Sequence, residues 1–177
     1  MTFEEKTVSS ELIYEGRILN LRKDEVTVVS GGTSSREIVE HNGGAAAVAI
    51  KDDGKIVLVK QYRKPVSRVV LELPAGKIEK GEDHRENIIR ELKEETGYSA
   101  NNVELIAKMH PSVGYTTEIL YIYLATGLTA GETNFDENEA LDIVEMDFEE
   151  AYNLVLNGEI IDGKTQVGIL MAKNYIK

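Results

Sequence analysis

The sequence predicts an α+β fold in which strands dominate, with one central helix and two helices near the C-terminus. Three observations support this fold class. Short apolar runs bounded by turn residues recur along the chain, a helical period spans residues 83–96, and two further helical stretches, 148–156 and 165–176, follow the last β-prone run. The 177 residues suit one domain with room for an N-terminal extension.

The first 42 residues predict an N-terminal antiparallel β-extension. The stretch from Ser9 to Val29 is β-prone, with alternation at residues 18–21 and 26–29. Ser30-Gly31-Gly32 indicates a turn, and residues 37–40 form another short β-prone run. We therefore expect residues 1–42 to form the extension and residues 43–177 to form the main domain.

The main domain opens with a predicted hairpin. Residues 45–50 and 55–62 are apolar runs, and Asp52-Asp53-Gly54 between them is a strong turn signal. A shorter run ends at Pro74, whose missing N–H suits the end of a strand. The remaining predicted strands are 69–73, 103–109, 119–125 and 140–147.

The predicted helix at 83–96 combines an acidic face with an apolar face. Gly97 follows it at the position expected of a C-cap. With Glu91 placed at zero on a helical wheel, Glu95 lies at about 40° and Glu94 at about −60°, so three carboxylates share one face. The adjacent apolar face, which we expect to pack on the sheet, comprises Ile88, Ile89 and Leu92.

The acidic face is the first candidate for a metal site. Glu91 and Glu95 are like charges four residues apart, which disfavours an empty helix but suits Mg²⁺, a cation that prefers oxygen ligands. Arg90 is spaced to pair with Glu94, and a carbonyl of the Ala75-Gly76 loop offers a further oxygen. Taken alone, such a helix is also compatible with a solvated acidic face.

Composition narrows the classes of function. A net charge of −11 argues against a nucleic-acid partner, and it means that a phosphate substrate needs a metal ion at an acidic site. The absence of cysteine and of closely spaced histidines argues against thiolate and zinc chemistry, and neither an esterase triad nor a P-loop is expected. No apolar run is long enough to span a bilayer and the N-terminus is acidic, so we expect a cytoplasmic protein without a membrane partner.

The segment from Gly76 to Tyr98 resembles the Nudix box. That pattern is G, five residues, E, seven residues, R-E, an aliphatic residue, any residue, E-E, any residue, G and an aliphatic residue. All seven specified identities match, and the one departure is Tyr98 in place of the last aliphatic residue. The matching residues are Gly76, Glu82, Arg90-Glu91-Leu92, Glu94-Glu95 and Gly97.

The resemblance implies a Nudix fold, an α/β/α sandwich around a mixed sheet, and hydrolysis of a nucleoside diphosphate linked to a second group. It implies Mg²⁺ as cofactor, with Mn²⁺ as an alternative. By position, Glu91 and Glu95 are the leading metal ligands, Glu94 assists, and the Ala75 carbonyl is a further ligand. Arg90 would orient the glutamates.

Other segments resemble the ADP-ribose pyrophosphatase branch of this family, so that the similarity covers most of residues 12 to 176. They are Lys60-Gln61-Tyr62-Arg63 with Pro65, the run Glu72-Leu73-Pro74-Ala75-Gly76, residues 36–41, and residues 111–118 with departures at Val113 and Tyr115. The resemblance implies that Arg36, with its neighbour Glu37, and Arg63 contact the substrate, and that Glu118 contacts a ribose hydroxyl. It also implies a homodimer whose N-terminal β-regions complete the site.

The acidic loop at 135–139 is the candidate source of the general base. A carboxylate is needed to position or deprotonate the attacking water, and the branch carries its catalytic glutamate in a loop of this kind. Glu137 is the first choice and Glu139 the helper, with the reverse order left open. The alternative is a solvated loop before a strand.

The box does not specify the substrate. Dinucleoside polyphosphates, sugar nucleotides and flavin dinucleotide stay open beside ADP-ribose. A Nudix-fold module that senses nucleotides without cleaving them is the alternative from another class, although such modules usually lose the box glutamates that this chain retains.

Overall fold

The computed structural model describes residues 3–134 and 140–176. The chain forms two compact units, Met1–Gly43 with His110–Ile119, and Gly44–Met109 with Leu120–Lys177. We call the first the N-terminal unit and the second the main unit. No helix in the described ranges is long and apolar enough to cross a membrane.

The N-terminal unit is built on a three-stranded antiparallel sheet in the order β1-β2-β3. The strands are β1 (Thr7–Glu15), β2 (Asn20–Thr27) and β3 (Thr33–Glu40). The β-prone stretch predicted at 9–29 is therefore two strands, with a turn at 16–19 that the sequence pattern did not reveal. Every residue of the edge strand β1 is exposed. Backbone hydrogen bonds from Val39 to Tyr115 and from Thr117 to Val39 attach the 110–119 segment to β3.

The main unit is built on a mixed seven-stranded sheet. Its main path is β10-β5-β4-β9-β8, with β6 paired to β5 and β7 paired to β4. The β4–β9 pair is parallel and the other pairs are antiparallel. The strands are β4 (Gly44–Ile50), β5 (Lys55–Arg63), β6 (Arg68–Glu72), β7 (Ala75–Lys77), β8 (Ser99–Met109), β9 (Leu120–Thr129) and β10 (Leu141–Asp147).

Helices cover both faces of this sheet. Residues alternate across a strand, and the fully buried β4 places Ala45, Ala47 and Ala49 in one apolar cluster and Ala46, Val48 and Ile50 in another. The first cluster includes residues of α1 (His84–Thr96), and the second includes residues of α2 (Phe148–Leu156) and α3 (Gly163–Ala172). The expected α/β/α sandwich around a mixed sheet is confirmed.

Two local expectations were wrong. Ile89 was assigned to the apolar face of α1, but it is 38% exposed, because only Ile88 and Leu92 point directly at the sheet. The segment 75–77 was expected to be a loop and instead forms β7, which pairs with the start of β4. Strand pairing therefore holds the residues that enter the Nudix-like segment.

Candidate active site

The site residues of the main unit lie where β7 approaches α1. Asp83 caps the helix by accepting hydrogen bonds from the N–H groups of Arg85 and Glu86, at 2.9 and 3.1 Å. Gly97 ends the helix in the left-handed region at φ 75°, and its N–H donates to the Lys93 carbonyl. A Cβ at Gly97 would also lie 2.6 Å from the Gly131 carbonyl oxygen. The two ends of α1 are thus defined by local chemistry visible in the sequence.

Glu91 lies directly against Gly76. A Cβ added at Gly76 would overlap the Glu91 carboxyl group, so the absence of a side chain on β7 provides the space that this carboxylate occupies. Glu91 Oε1 is also 2.8 Å from an Nη of Arg90. Gly76 and Glu91 are fifteen positions apart, and the Glu91 side chain fills the space that the glycine leaves open.

Glu95 is buried on the same face of α1. Its side chain accepts a hydrogen bond from the Ala75 N–H at 3.0 Å, and the residue is 3% exposed. The bond places the Glu95 carboxylate beside the residue whose carbonyl is a predicted metal ligand. The structure therefore brings together Ala75, Glu91 and Glu95.

Arg90 connects three carboxylates. It contacts Glu94 at 2.7 Å, Glu91 at 2.8 Å and Glu82 at 3.1 Å. Burial would lower the pKa of Arg90, but hydrogen bonds and charges of these carboxylates raise it well above its usual range. The predicted i,i+4 pair of Arg90 with Glu94 is present, and the guanidinium restrains the carboxylates of the box.

Asn87 supports this face and was missed in the sequence. It is fully buried, and its amide nitrogen donates to the Lys77 carbonyl at 3.0 Å and to Glu82 at 2.9 Å. Its side chain thereby joins α1 to the segment that leads from β7 to the helix. Asn87 falls at a position where the box allows any residue. The sequence signal that could have identified it is its place one turn before Glu91 on the helix.

The donor chemistry of this face fits a hard divalent cation. The available groups are carboxylate and carbonyl oxygens, which Mg²⁺ and Mn²⁺ prefer, and Gly76 leaves the space in which the Glu91 carboxylate lies. Within residues 3–134 and 140–176, no group of three or more His, Cys, Asp or Glu side chains lies in an arrangement that would hold a metal. The carboxylates of Glu91 and Glu94 pair instead with Arg90, and that of Glu95 accepts a hydrogen bond from the Ala75 N–H.

The predicted substrate contacts fall in both units. Arg36, exposed Glu37 and Glu118 belong to the N-terminal unit, whereas Arg63 belongs to the main unit. Arg36 forms an ion pair with Glu5 and donates to Ser34 Oγ at 2.9 Å. Glu118 lies 3.6 Å from His41 Nδ1.

Arg63 is held by a buried carboxylate. Its Nε and Nη2 donate to the two oxygens of Glu72 at 2.7 and 2.9 Å, while 44% of its side chain is exposed. Burial would raise the pKa of Glu72, but hydrogen bonds and charges from Arg63 and Lys164 lower it below its ordinary value. Glu72 begins the run that resembles the ADP-ribose pyrophosphatase branch, but the sequence suggested no role for it or for Lys164. Their burial and ion pairs identify both residues.

The candidate base residues, Glu137 and Glu139, lie outside the described residues. The last residue before that stretch, Asn134, donates its N–H to the Glu94 carbonyl at 2.9 Å. The described chain therefore reaches the final turn of α1 immediately before the acidic segment.

Residues 158 to 165 fit the letters of the P-loop pattern G-x-x-x-x-G-K-[ST], so the expectation that the sequence lacks this pattern was wrong. The segment follows α2, whereas a P-loop follows a strand. Lys164 is ion-paired with Glu72 and Asp162, and Thr165 is fully buried between Asp162 and Leu73. Both side chains are engaged in contacts within the protein. The segment therefore matches the P-loop pattern in sequence but not in structure.

Comparison with known proteins identifies the family. The NUDIX domain model matches residues 40–165, and the nucleoside diphosphate sugar hydrolase N-terminal domain model matches residues 5–39. The chain is 43% identical to the methanol dehydrogenase activator of Bacillus methanolicus, over 94% of this chain and 91% of that protein. It is 41% identical to the ADP-ribose pyrophosphatase of Bacillus subtilis (strain 168), over 95% and 92%.

The fold is similar to that of a solved structure. A crystal structure of an ADP compounds hydrolase superposes with a TM-score of 0.84 at 20% identity, covering 97% of this chain and 94% of that one. The family models, the identities and the similarity of the fold agree with the intact box in the sequence. This chain belongs to the NUDIX family and is a Nudix pyrophosphohydrolase.

Proposed function

We propose that this protein hydrolyses the pyrophosphate of ADP-ribose to AMP and ribose 5-phosphate, with Mg²⁺ as the cofactor and Mn²⁺ as a substitute. The observation that carries the chemistry is the position of two carboxylates. Glu91 packs against Gly76, and Glu95 accepts a hydrogen bond from the N–H of the adjacent Ala75. The substrate rests on the 41% identity to an ADP-ribose pyrophosphatase over nearly the whole of both chains.

The proposed metal ligands and Arg90 have separate roles. Glu91, Glu94, Glu95 and the Ala75 carbonyl would hold the divalent ions, and Arg90 orients the carboxylates. The bound ions would supply neutralisation of the pyrophosphate charge and a lower pKa for the attacking water. This division explains how a chain with a net charge of −11 accepts an anionic substrate.

Glu137 is proposed as the general base, with Glu139 as helper. The carboxylate takes a proton from water, the water oxygen bonds to one phosphorus, and the bridging oxygen leaves with the other phosphate. The hydrogen bond from Asn134 to Glu94 supports this role, because it brings the described chain to α1 just before the acidic segment. Glu137→Gln is expected to lower kcat more than Glu139→Gln, and the reverse order would assign the base to Glu139.

Arg36, Glu37, Arg63 and Glu118 are proposed substrate contacts. For Arg63 the support is geometric, since Glu72 binds Nε and Nη2 while 44% of the Arg63 side chain is exposed. A guanidinium fixed in this way is preorganised to meet a phosphate. Removing any one of these side chains is expected to raise KM more than it lowers kcat.

The first test is product analysis. Protein is incubated with ADP-ribose and Mg²⁺, with and without chelator, and the products are separated by ion-exchange chromatography. Metal-dependent AMP and ribose 5-phosphate are expected. An absence of turnover would contradict the substrate, and a panel of sugar nucleotides, flavin dinucleotide, NADH and dinucleoside polyphosphates would then identify another; inactivity on all of them would favour the sensing module.

Glu95→Gln tests the metal-site carboxylate. The amide oxygen can still accept from the Ala75 N–H, but the negative charge is lost, so we expect kcat to fall by at least about 100-fold with little change in fold. Glu86→Gln is the matched control, because Glu86 is an exposed glutamate on the same helix. Full activity of Glu95→Gln would contradict the assignment.

A second candidate function has one observation behind it, the 43% identity to a methanol dehydrogenase activator. We would add wild-type protein and Glu95→Gln to a methanol dehydrogenase and follow alcohol oxidation. Stimulation by the wild type alone would make activation a consequence of the hydrolytic site. Equal stimulation by both would indicate a separate activity, and no stimulation would exclude this candidate for that dehydrogenase.

A further inference from the structure

A network of polar groups around the buried residues Glu72 and Thr165 joins the start of α3 to the bend between β6 and β7. Glu72, at the end of β6, is 2% exposed and receives charge-assisted hydrogen bonds from both Arg63 and Lys164. Lys164 also donates to Asp162 at 2.8 Å. Two acidic and two basic groups therefore compensate one another, which is the condition under which buried charges are tolerated.

Thr165 makes the second connection. Its hydroxyl accepts a hydrogen bond from the Leu73 N–H at 2.9 Å and donates to Asp162 at 2.6 Å, and Thr165 is fully buried. Asp162 also accepts from the Thr165 N–H at 3.1 Å and so caps α3. The same carboxylate orients Lys164 and Thr165.

Each residue of the bend is held by a different partner. Glu72 is held by Lys164 and Arg63, and Leu73 by Thr165. The Pro74 carbonyl accepts from the Ala47 N–H at 3.0 Å, and the Ala75 N–H donates to Glu95. The backbone that presents the Ala75 carbonyl is therefore fixed from the α3 side of the sheet as well as from the α1 side.

We propose that Lys164 and Thr165 are positioning residues for the metal site, acting through Glu72 and the Leu73 N–H to fix the Ala75 carbonyl and the orientation of Arg63. The inference rests on the proposed function, in which Ala75 is a metal ligand. The side-chain contacts on which this role rests lie within the protein, with Glu72, Asp162 and the Leu73 N–H. Groups that orient a metal ligand contribute to affinity because a misplaced ligand binds the ion less well.

Thr165→Val and Thr165→Ser test the backbone contact. Valine has nearly the shape of threonine but lacks the hydroxyl, whereas serine keeps it. In metal-free protein, we expect hydrogen exchange at the Leu73 amide to accelerate about tenfold in Thr165→Val and to stay near wild type in Thr165→Ser. An unchanged Leu73 rate, or equal acceleration along the whole of β9, would overturn the proposal.

Lys164→Met, Lys164→Arg and Lys173→Met test the ionic contact. Lys173→Met is the matched control, because it removes an exposed lysine that pairs with Glu149 at the other end of α3. Titration calorimetry with Mg²⁺ alone is expected to show about 10- to 100-fold weaker binding for Lys164→Met, partial recovery for Lys164→Arg and no change for Lys173→Met. Wild-type Mg²⁺ affinity in a folded Lys164→Met would overturn the proposal.

The outcomes separate this inference from the proposed function. Weaker Mg²⁺ binding and faster Leu73 exchange in a protein that leaves ADP-ribose intact would support the positioning role and refute the substrate. Hydrolysis of ADP-ribose by the wild type, with unchanged Mg²⁺ affinity in the variants, would support the substrate and refute the positioning role. If Lys164→Met does not fold, Thr165→Val with Thr165→Ser decides the matter through exchange and Mg²⁺ affinity.

Discussion

Gly76 shows how one residue in this protein determines the position of another. The Glu91 carboxylate lies where a side chain at Gly76 would be, and Arg90 contacts that carboxylate from the helix. Glycine is therefore required at this position for space, since Gly76 is not among the residues with positive φ. The carboxylate and the strand are fixed relative to one another by this contact.

Gly76→Ala is expected to displace Glu91 and to lower kcat on the order of 100-fold, because a shift of about 1 Å at a catalytic group has an effect of this size. The measurement is steady-state hydrolysis together with thermal unfolding. Gly163→Ala is the control, since nothing lies within 4 Å of a Cβ there. Retention of wild-type kcat in Gly76→Ala would contradict the tight seating of Glu91.

Glu72 makes stability depend on pH. Its pKa in the folded protein is below the ordinary value of 4.5 because Arg63 and Lys164 outweigh the effect of burial. A lowered folded-state pKa adds stability above the unfolded-state value, and this contribution is lost as the pH falls through the folded-state pKa. The network thus stabilises the fold at neutral pH and weakens in acid.

Glu72→Gln is expected to lower the free energy of unfolding at pH 7 by about 3–5 kcal/mol, because two cations lose their buried partner. The deficit relative to wild type should shrink below pH 4.5 as the wild-type carboxylate becomes protonated. Urea unfolding at several pH values measures this, with exposed Glu104→Gln as control. A deficit that is constant from neutral to acidic pH would rule out the ionic explanation.

At the scale of elements, α3 depends on close approach to the sheet. Gly168 is buried, and a Cβ there would lie 2.6 Å from Leu73 Cδ1, 3.0 Å from Val48 Cγ2 and 3.2 Å from Ile122 Cγ2. Leu73 and its neighbours are themselves buried, so they have little room to move. The helix that carries Lys164 and Thr165 is therefore packed closely against Leu73 and against strands β4 and β9.

Gly168→Ala is expected to reduce the free energy of unfolding by about 1–2 kcal/mol, since overpacking outweighs the gain of about 1 kcal/mol in helix propensity. Gly163→Ala, on the same helix but in open space, should be neutral or slightly stabilising. Chemical denaturation compares the two. Equal stability changes in both variants would show that α3 packs less closely than described.

At the scale of the whole molecule, the N-terminal unit has an edge strand that the described chain leaves uncovered. Val8, Leu12, Ile13 and Tyr14 of β1 are 57, 54, 49 and 58% exposed. An edge strand with exposed apolar side chains is a surface on which another chain can pair. These residues support the proposal, made from family resemblance, that the protein is a homodimer.

Sedimentation equilibrium is therefore expected to give about twice the chain mass of 19.7 kDa. Leu12→Lys combined with Ile13→Lys should yield the single-chain mass, because charge at a buried interface is unfavourable. Leu156→Lys, at an exposed site on α2, is the control and should leave the mass unchanged. A wild-type protein of single-chain mass would refute the dimer.

Local sequence patterns were sufficient to predict the family, the order of most elements and the ends of α1. These features follow from local chemistry: Asp83 and Gly97 cap the helix, and strict spacing from Gly76 to Gly97 places the carboxylates on one helical face. Boundaries were less accurate where the signal was weak. Strand β8 begins at Ser99, four residues before the predicted start, because pairing with β9 extends it.

Which side chains come into contact depends instead on the packing of the folded chain. Glu72 precedes Lys164 by 92 residues. No local sequence pattern indicates that two charges so far apart in the chain form an ion pair in the folded protein. The role of Gly76 was likewise hidden, since a glycine in a motif predicts a turn as readily as space for a carboxylate. Sequence periodicity reports which face of an element is apolar, whereas contact between distant elements depends on how those faces pack.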